Sequence, residues 1–218
     1  MGFMSFGIHL APAKLSGFNV CKDASAGCAA ACLNTSGHGA FSSVQNARIA
    51  KTKLFFSDKV AFLSQLKKEI IAAIKKAEKN AMQPCFRLNL TSDLPWEKIK
   101  FEEKSIFELF PSVQFYDYTK TPERITKFLA GELPANYHLT FSRSESNGLI
   151  AESVLASGGN VAMVFRKSLP KKFLGRDVVN GDETDLRFLD PHGVIVGLVE
   201  KGMAKKDATG FVLEPIEG

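Results

Sequence analysis

Short runs of apolar residues alternate along the chain with longer segments in which apolar residues recur every three or four positions. The short runs predict strands at residues 85–90, 113–118, 137–141, 161–165 and 194–199. Most of these strands are separated by segments of helical length, and such alternation is typical of crossover connections between parallel strands. The pattern therefore predicts an α/β fold with a mostly parallel sheet.

Capping residues and apolar periodicity mark the helices between these strands. One helix is predicted at residues 42–55, a longer one after Asp58, a third starting at Pro122, and a fourth at residues 147–157. The longer helix has a face of lysines opposite an apolar stripe, which consists of Leu63, Leu66, Ile70, Ala73, Ile74 and Ala77. We expect this helix to lie against a core.

The stretch 167–193 interrupts the alternation because it has no helical period. Asn180-Gly181, a common hairpin turn, lies there between residues 178–179 and 186–188, so an inserted β-hairpin or a long functional loop is predicted. The chain is long enough to bury one large core, and no linker divides it. We expect a single α/β domain over residues 1–218, a partial or open (β/α) barrel of about six mostly parallel strands.

Composition narrows the class of protein. Hydrophobic residues make up 45% of the chain and charged residues 23%, as in ordinary globular proteins. The longest apolar runs are too short to cross a bilayer, and the first twenty residues lack the apolar core of a secretory signal. We therefore expect a cytoplasmic protein (in the host cytoplasm if viral) with no membrane partner. The net charge of +5 permits an anionic partner, and a solvated basic surface accounts for it equally well.

Three cysteines, Cys21, Cys28 and Cys32, lie in the Gly-, Ala- and Ser-rich segment 1–40 with the spacing C-x6-C-x3-C. Cys28 and Cys32 flank three alanines, so a helix starting near Ser25 would place the two thiols one turn apart on the same face. The positive start of that helix favours the thiolate of Cys28, and Cys21 would fold back from the preceding loop. The segment therefore predicts a metal site.

Three thiols do not determine which metal binds. A [4Fe–4S] cluster on three thiolates keeps one iron open for another ligand, and this interpretation is preferred. A structural zinc needs four protein ligands, and His38 would complete a Cys3His site; unligated core thiols are the third alternative. Cys85, which begins the first predicted strand, is expected to be a buried structural thiol. His9, His138 and His192 are scattered and support no catalytic triad.

Polar residues end each predicted strand, and functional sites gather at the carboxyl ends of strands in parallel α/β folds. These ends predict a ligand-binding rim formed by Asn89, Ser92, Asp93, Lys120, Ser142, Arg143 and Glu145. Arg166, which follows residues 161–165, would suit a carboxylate. Clustered acids could also hold Mg²⁺, but solvated turn residues are the preferred interpretation of Asp182, Glu183, Asp185 and Asp190.

The cysteine segment and the stretches 87–93, 115–120, 137–145 and 180–191 resemble a phage-encoded family, the gene product 88 domain, whose function is unassigned. A looser resemblance is to radical-SAM enzymes, in which a cysteine triplet of usual spacing C-x3-C-x2-C follows the first strand of a partial (β/α)6 barrel. This second resemblance implies that the cysteine triplet holds a [4Fe–4S] cluster. It also implies S-adenosylmethionine on the open iron, with the rim residues as its pocket.

The sequence supports two hypotheses about the function. The first is a radical-SAM-like iron–sulfur enzyme that acts on a small molecule, nucleotide or nucleic acid at the strand ends, with no catalytic residue assigned. The alternative is a non-catalytic nucleic-acid-binding phage protein with a structural zinc or iron–sulfur site, in which Arg48, Lys51 and Lys53 face the nucleic acid. The sequence leaves the substrate and the oligomeric state open.

Overall fold

The structure, a computed structural model, describes residues 2–215 apart from the side chain of Thr35. The helices are α1 (Ala26–Ala30), α2 (Ser42–Ser57), α3 (Lys59–Lys79), α4 (Ile106–Leu109), α5 (Pro122–Leu129) and α6 (Gly148–Ala156). The strands are β1 (Phe3–Gly7), β2 (Gln83–Arg87), β3 (Lys100–Phe101), β4 (Lys104–Ser105), β5 (Gln114–Thr119), β6 (Tyr137–Ser142), β7 (Val161–Phe165), β8 (Lys172–Phe173), β9 (Arg176–Asn180), β10 (Ile195–Val199) and β11 (Val212–Leu213). Short 3-10 helices lie at Leu33–Thr35, Gly37–Ala40, Trp96–Lys98, Arg187–Leu189 and Gly202–Lys206.

The backbone divides into two compact units that interleave along the chain. The first consists of Met1–Lys22, Phe41–Asp117 and Leu133–His138, and the second of Asp23–Ala40, Tyr118–Glu132 and Leu139–Gly218. The division passes through β5 and β6, each of which contributes residues to both units. The single domain therefore stays a prediction.

Parallel strands form the sheet of the first unit, where β1 pairs with β2 and β2 pairs with β5. Helix α3 packs on β1 and β2 through its apolar stripe, in which Leu63, Leu66, Ile70 and Ala77 are buried. Complete burial of one such leucine or isoleucine contributes about 1.5–3 kcal/mol. The Asp58 carboxylate accepts a hydrogen bond from the Ala61 amide (2.9 Å) and begins the helix, as the sequence predicts.

Parallel pairing also dominates the second unit, where β6, β7, β10 and β9 are neighbours in that order. Strand β7 changes partner along its length. It pairs with β6 through Val161 and Ala162, and with β11 through Val164 and Phe165. The segment that ends in β11 therefore lies beside the carboxyl end of β7, where polar side chains gather.

The hairpin predicted in residues 167–193 is present, but its position was wrong. The antiparallel strands are β8 and β9, joined by Leu174 and Gly175, both of which have positive φ (51° and 69°). Residues 186–188, predicted as the second strand, belong instead mostly to a 3-10 helix. A Cβ at Gly181 would lie 2.6 Å from Val196 Cγ1, so this glycine permits close packing rather than a hairpin turn.

The mostly parallel α/β organisation is confirmed, and so are the helices that begin after Asp58 and at Pro122. The sequence patterns missed β1 and the two-residue β11. The partial barrel stays a prediction. Within residues 2–215, no helix is long and apolar enough to span a membrane.

Candidate functional site

The segment that carries Cys28 is hydrogen-bonded to Glu145, just beyond the carboxyl end of β6. Ser25 is the N-cap of α1, and its hydroxyl accepts a hydrogen bond from the Cys28 amide (3.2 Å). Glu145, which follows β6, accepts hydrogen bonds from the Ser25 hydroxyl and the Gly27 amide, both at 2.7 Å. One carboxylate thus satisfies two donors at the start of a helix, where negative charge is favourable.

The charge of Glu145 is set by two opposing effects. Partial burial works to raise the pKa of this carboxyl, but the hydrogen bonds from Ser25 and Gly27 outweigh it, so the pKa lies below its ordinary value. The backbone at Gly27 also lies close to neighbouring side chains. A Cβ at Gly27 would meet Thr209 Oγ1, and would lie 2.8 Å from both Glu145 Oε2 and Phe211 Cβ. Glycine is therefore the residue that fits between the carboxylate and the segment before β11.

Cys28 and Cys32 do not share a helix face, which corrects the geometry predicted for them. Helix α1 ends at Ala30, with Ala31 as its C-cap, and Cys32 has an extended backbone (φ −58°, ψ 131°). Ala31 is buried in a cluster with Ala204, Phe211 and Val212, and Cys28 packs against the same cluster. Tertiary packing outweighs the helix propensity of three alanines here. The predicted helix start near Ser25 is confirmed.

Cys21 lies in the first unit, beside the segment that follows β2. Its thiol donates to the Thr91 carbonyl (Sγ···O 3.7 Å), and the Asp93 amide donates to the carbonyl of Val20 (2.8 Å). The fourth cysteine, Cys85, is buried within β2, as expected for a structural thiol. Both Cys21 and Cys28 thus lie near a strand's carboxyl end within their own units.

Asn89 and Ser92, predicted to line a cofactor pocket, are buried in a hydrogen-bond network of the first unit. The Asn89 amide oxygen accepts from the Ser92 hydroxyl (2.8 Å), the Leu94 amide (2.9 Å) and the Trp96 indole (3.2 Å). The amide nitrogen donates to Asp117 Oδ2 (3.2 Å) and to the Leu94 carbonyl. This network fixes the turn after β2, and a cofactor would need to break it to reach Asn89.

Lys120, Ser142 and Arg143 come together in the second unit. The Lys120 ammonium donates to the Ser142 hydroxyl (2.5 Å) and lies 5.6 Å from the centre of the Phe211 ring. The Arg143 guanidinium donates to the carbonyls of Gly210 (2.5 Å) and Phe211 (3.1 Å). Burial lowers the pKa of Arg143, against the opposing charges of Glu145 and Asp207. These rim side chains bind the segment that leads into β11.

Arg166 and two carboxylates of the acidic stretch are also paired within the second unit. Arg166 pairs with Glu200 (3.1 Å) and Glu214 (2.6 Å). In the acidic stretch, Asp182 accepts from the Lys201 ammonium (2.7 Å), and Asp190 lies 3.4 Å from a guanidinium nitrogen of the buried Arg187. Searched over residues 2–215, the chain has no group of three or more His, Cys, Asp or Glu side chains placed to hold a metal ion.

Comparison with known proteins places this chain in a family. The family model described as gene product 88 matches residues 3–215, nearly the whole chain. The chain belongs to the gene product 88 family. No curated protein and no solved structure matches it.

Membership in the gene product 88 family confirms the resemblance carried by the cysteine segment and the strand-end stretches. The looser resemblance to radical-SAM enzymes receives no support from the comparisons. The cluster, the S-adenosylmethionine pocket and the zinc alternative with His38 therefore stay predictions.

The first unit also has a basic cavity that the sequence patterns did not predict. It has a volume of about 270 Å³ and is lined by His9, Ser43, Val44, Ala47, Arg48 and Lys51. The sequence signal was present in Arg48 and Lys51, which were assigned to a general nucleic-acid face. His9 lies far from them in sequence, and no local pattern joins it to α2.

Proposed function

We propose that this gene product 88 protein binds a metal centre through Cys21, Cys28 and Cys32, with a [4Fe–4S] cluster preferred over zinc. The observation that carries the proposal is the fastening of the Cys28 segment by Glu145 after β6. Cofactors of parallel α/β proteins bind at the carboxyl ends of strands, and both Cys21 and Cys28 lie near such an end in their own unit.

The arrangement described does not by itself form a ligand set, because no group of three metal-ligating side chains is assembled within residues 2–215. Thiols are suited to iron–sulfur clusters and to zinc, and metal binding is coupled to local folding because the ligands become ordered around the metal. Cys32 lies outside α1, on the short connection to the 3-10 helix Leu33–Thr35. The proposal therefore includes a local rearrangement of the backbone around Cys32 when the metal binds.

The proposal stops at metal binding and includes no reaction. Lys120, Ser142, Arg143 and Glu145 bind the protein's own chain, so S-adenosylmethionine would have to exchange with those contacts. The partial barrel of about six strands, the single domain and the cytoplasmic location belong to this proposal as expectations from the sequence pattern.

Metal analysis of cysteine variants tests the proposal. The protein is purified without oxygen, reconstituted with iron and sulfide, and assayed for iron, sulfide, zinc and the thiolate-to-iron charge-transfer absorption. Cys21→Ala, Cys28→Ala and Cys32→Ala are compared with Cys85→Ala, whose thiol is buried within β2. We expect each triplet variant to lose iron and sulfide and the Cys85 variant to keep them.

If the wild-type protein contains stoichiometric zinc without sulfide, and the triplet variants lose this zinc, the metal centre is a zinc site and not an iron–sulfur cluster. Full iron and sulfide content in Cys28→Ala would contradict the proposed ligand set. Absence of both iron and zinc from the wild-type protein would reject the proposed metal centre.

A further inference from the structure

The basic cavity of the first unit is built from one face of α2 and one residue that follows β1. Val44, Ala47, Arg48 and Lys51 are spaced as i, i+3, i+4 and i+7, so they share one face of the helix. His9 is half-buried and completes the lining together with Ser43, in the first turn of α2. The lining therefore combines two cationic side chains, one imidazole and one hydroxyl with the apolar Val44 and Ala47.

The two charged side chains that line this cavity, Arg48 and Lys51, are both cationic. Burial, followed by the nearby charges of Arg48, Lys51 and Arg87, lowers the pKa of His9 to about 4. Partial burial also lowers the pKa of Lys51, although the residue as a whole is exposed; Glu69 opposes this shift and Arg48 adds to it. Burial is the main reason that an additional proton is disfavoured here, and the neighbouring positive charges add to it. Those positive charges would attract an anion.

The donors identify the kind of anion. A guanidinium, an ammonium, a hydroxyl and an imidazole are groups that bind phosphate oxygens, and a phosphate group presents three or four such acceptors, whereas a carboxylate presents two. The cavity runs along one face of α2 from its first turn to Lys51, so the helix dipole adds to the attraction only at the Ser43 end. Its volume of about 270 Å³ is slightly below the range for drug-sized ligands, so it suits a phosphate with part of its attached group.

We propose that the cavity lined by His9, Ser43, Arg48 and Lys51 binds the phosphate group of a small phosphomonoester such as a mononucleotide. The site lies within the first unit and does not depend on the proposed metal centre.

Binding measurements on matched variants test this site. The ligands are inorganic phosphate, a 5′-mononucleotide, the corresponding nucleoside and a single-stranded oligonucleotide, titrated by calorimetry at two salt concentrations. Lys51→Gln removes a cavity charge, and Lys53→Gln is the control because this exposed lysine projects from another face of α2. Loss of a charge-assisted hydrogen bond costs about 1.5–3 kcal/mol, so Lys51→Gln should weaken mononucleotide binding roughly tenfold or more.

A second readout follows the imidazole of His9. A bound phosphate dianion favours the imidazolium, so the His9 pKa measured by NMR should rise when the mononucleotide is added, with His9→Gln used to assign the signal. This measurement on the wild-type protein reports on the cavity even if Lys51→Gln fails to fold.

Several outcomes would overturn the proposal. They are binding of the nucleoside as tightly as the nucleotide, equal losses in Lys51→Gln and Lys53→Gln, and an unchanged His9 pKa in the presence of bound ligand. Binding of inorganic phosphate alone would reject the phosphomonoester. Oligonucleotide binding that falls steeply with salt and equally in both lysine variants would indicate a general basic surface instead.

Discussion

The contact of Glu145 with the start of α1 gives the sharpest test of how the cysteine segment is held. In Glu145→Gln the side chain keeps one acceptor oxygen, but its amide nitrogen cannot accept the second hydrogen bond. Both contacts, from the Ser25 hydroxyl and the Gly27 amide, are 2.7 Å long. A hydrogen bond to a charged group is worth about 1.5–3 kcal/mol and a neutral one about 1 kcal/mol. Since Glu145 is partly exposed, we expect a loss of about 1–2 kcal/mol after allowance for solvent screening.

This loss should be confined to the cysteine segment. Hydrogen exchange measured by mass spectrometry should show the amides of Ala29 and Ala31, bonded to the carbonyls of Ser25 and Gly27, exchanging about 5–30-fold faster in the variant, while β7 and β10 are unchanged. Glu152→Gln, an exposed substitution on α6, is the matched control and should leave exchange unaltered.

The pH dependence of exchange follows from the sign of the Glu145 shift. Because the folded pKa is lower than the unfolded value, the carboxylate contributes fully above the ordinary value of 4.5, and the contribution is lost as the pH falls through the folded pKa. The wild-type protein should therefore approach the variant in relative protection at low pH. Equal exchange of residues 25–31 in the wild-type protein and Glu145→Gln at neutral pH would refute the role of this contact.

Three further changes test other parts of the structure. The folded pKa of His9, about 4, lies below the ordinary value of 6.5, so the free energy of unfolding should decrease as the pH falls from 6.5 to 4. By pH 5 the decrease is at most about 2 kcal/mol. Urea unfolding of His9→Gln should not show this pH-dependent decrease. Asn89→Ala leaves buried donors without their acceptor and should lower the free energy of unfolding by about 2–4 kcal/mol; a loss under about 0.5 kcal/mol would contradict the network. Gly27→Ala should speed exchange in α1, whereas Gly148→Ala, which has open space at its Cβ, should not; equal effects of the two would contradict close packing at Gly27.

Elements with strong local signals were predictable from the sequence. Helix α3 has both an apolar stripe and the capping carboxylate of Asp58, and strand β7 is a continuous apolar run between a glycine pair and Arg166. Strand β1 was missed because Phe3–Gly7 contains a serine and a glycine and is only partly buried, which removes the apolar signature. Strand β11 has two residues and exists because β7 offers it a partner.

The hairpin shows how the same residue pair can serve another purpose. Asn180-Gly181 has the composition of a two-residue turn, yet Gly181 lies where a Cβ would meet Val196 and Leu198. The actual turn contains Leu174, a residue that rarely adopts positive φ. We infer that tertiary packing, and not the local sequence, determines that the hairpin turn lies at residues 174–175 instead of 180–181.

The predicted rim illustrates the limit for functional sites. The sequence indicated correctly that polar residues follow the strands, since any strand end that approaches solvent becomes polar. It could not show what these residues bind, because the partner of Glu145 lies about 120 residues earlier in the chain and the partner of Arg143 lies near Gly210. In the second unit both side chains fasten segments of the chain itself.

The direction of pKa shifts separates cations that the protein has already neutralised from those that an anion would stabilise. Hydrogen bonding to Glu214 and the charge of Glu200 outweigh partial burial and raise the pKa of Arg166, so an incoming anion at that strand end would have to displace a carboxylate. Burial and the neighbouring Arg48 lower the pKa of Lys51 although the charge of Glu69 opposes the shift, so an anion in the cavity of the first unit would interact favourably with Arg48 and Lys51. On this physical ground a small anionic ligand is better sought at α2 than at Arg166, even though the strand ends carry the more familiar sequence signal.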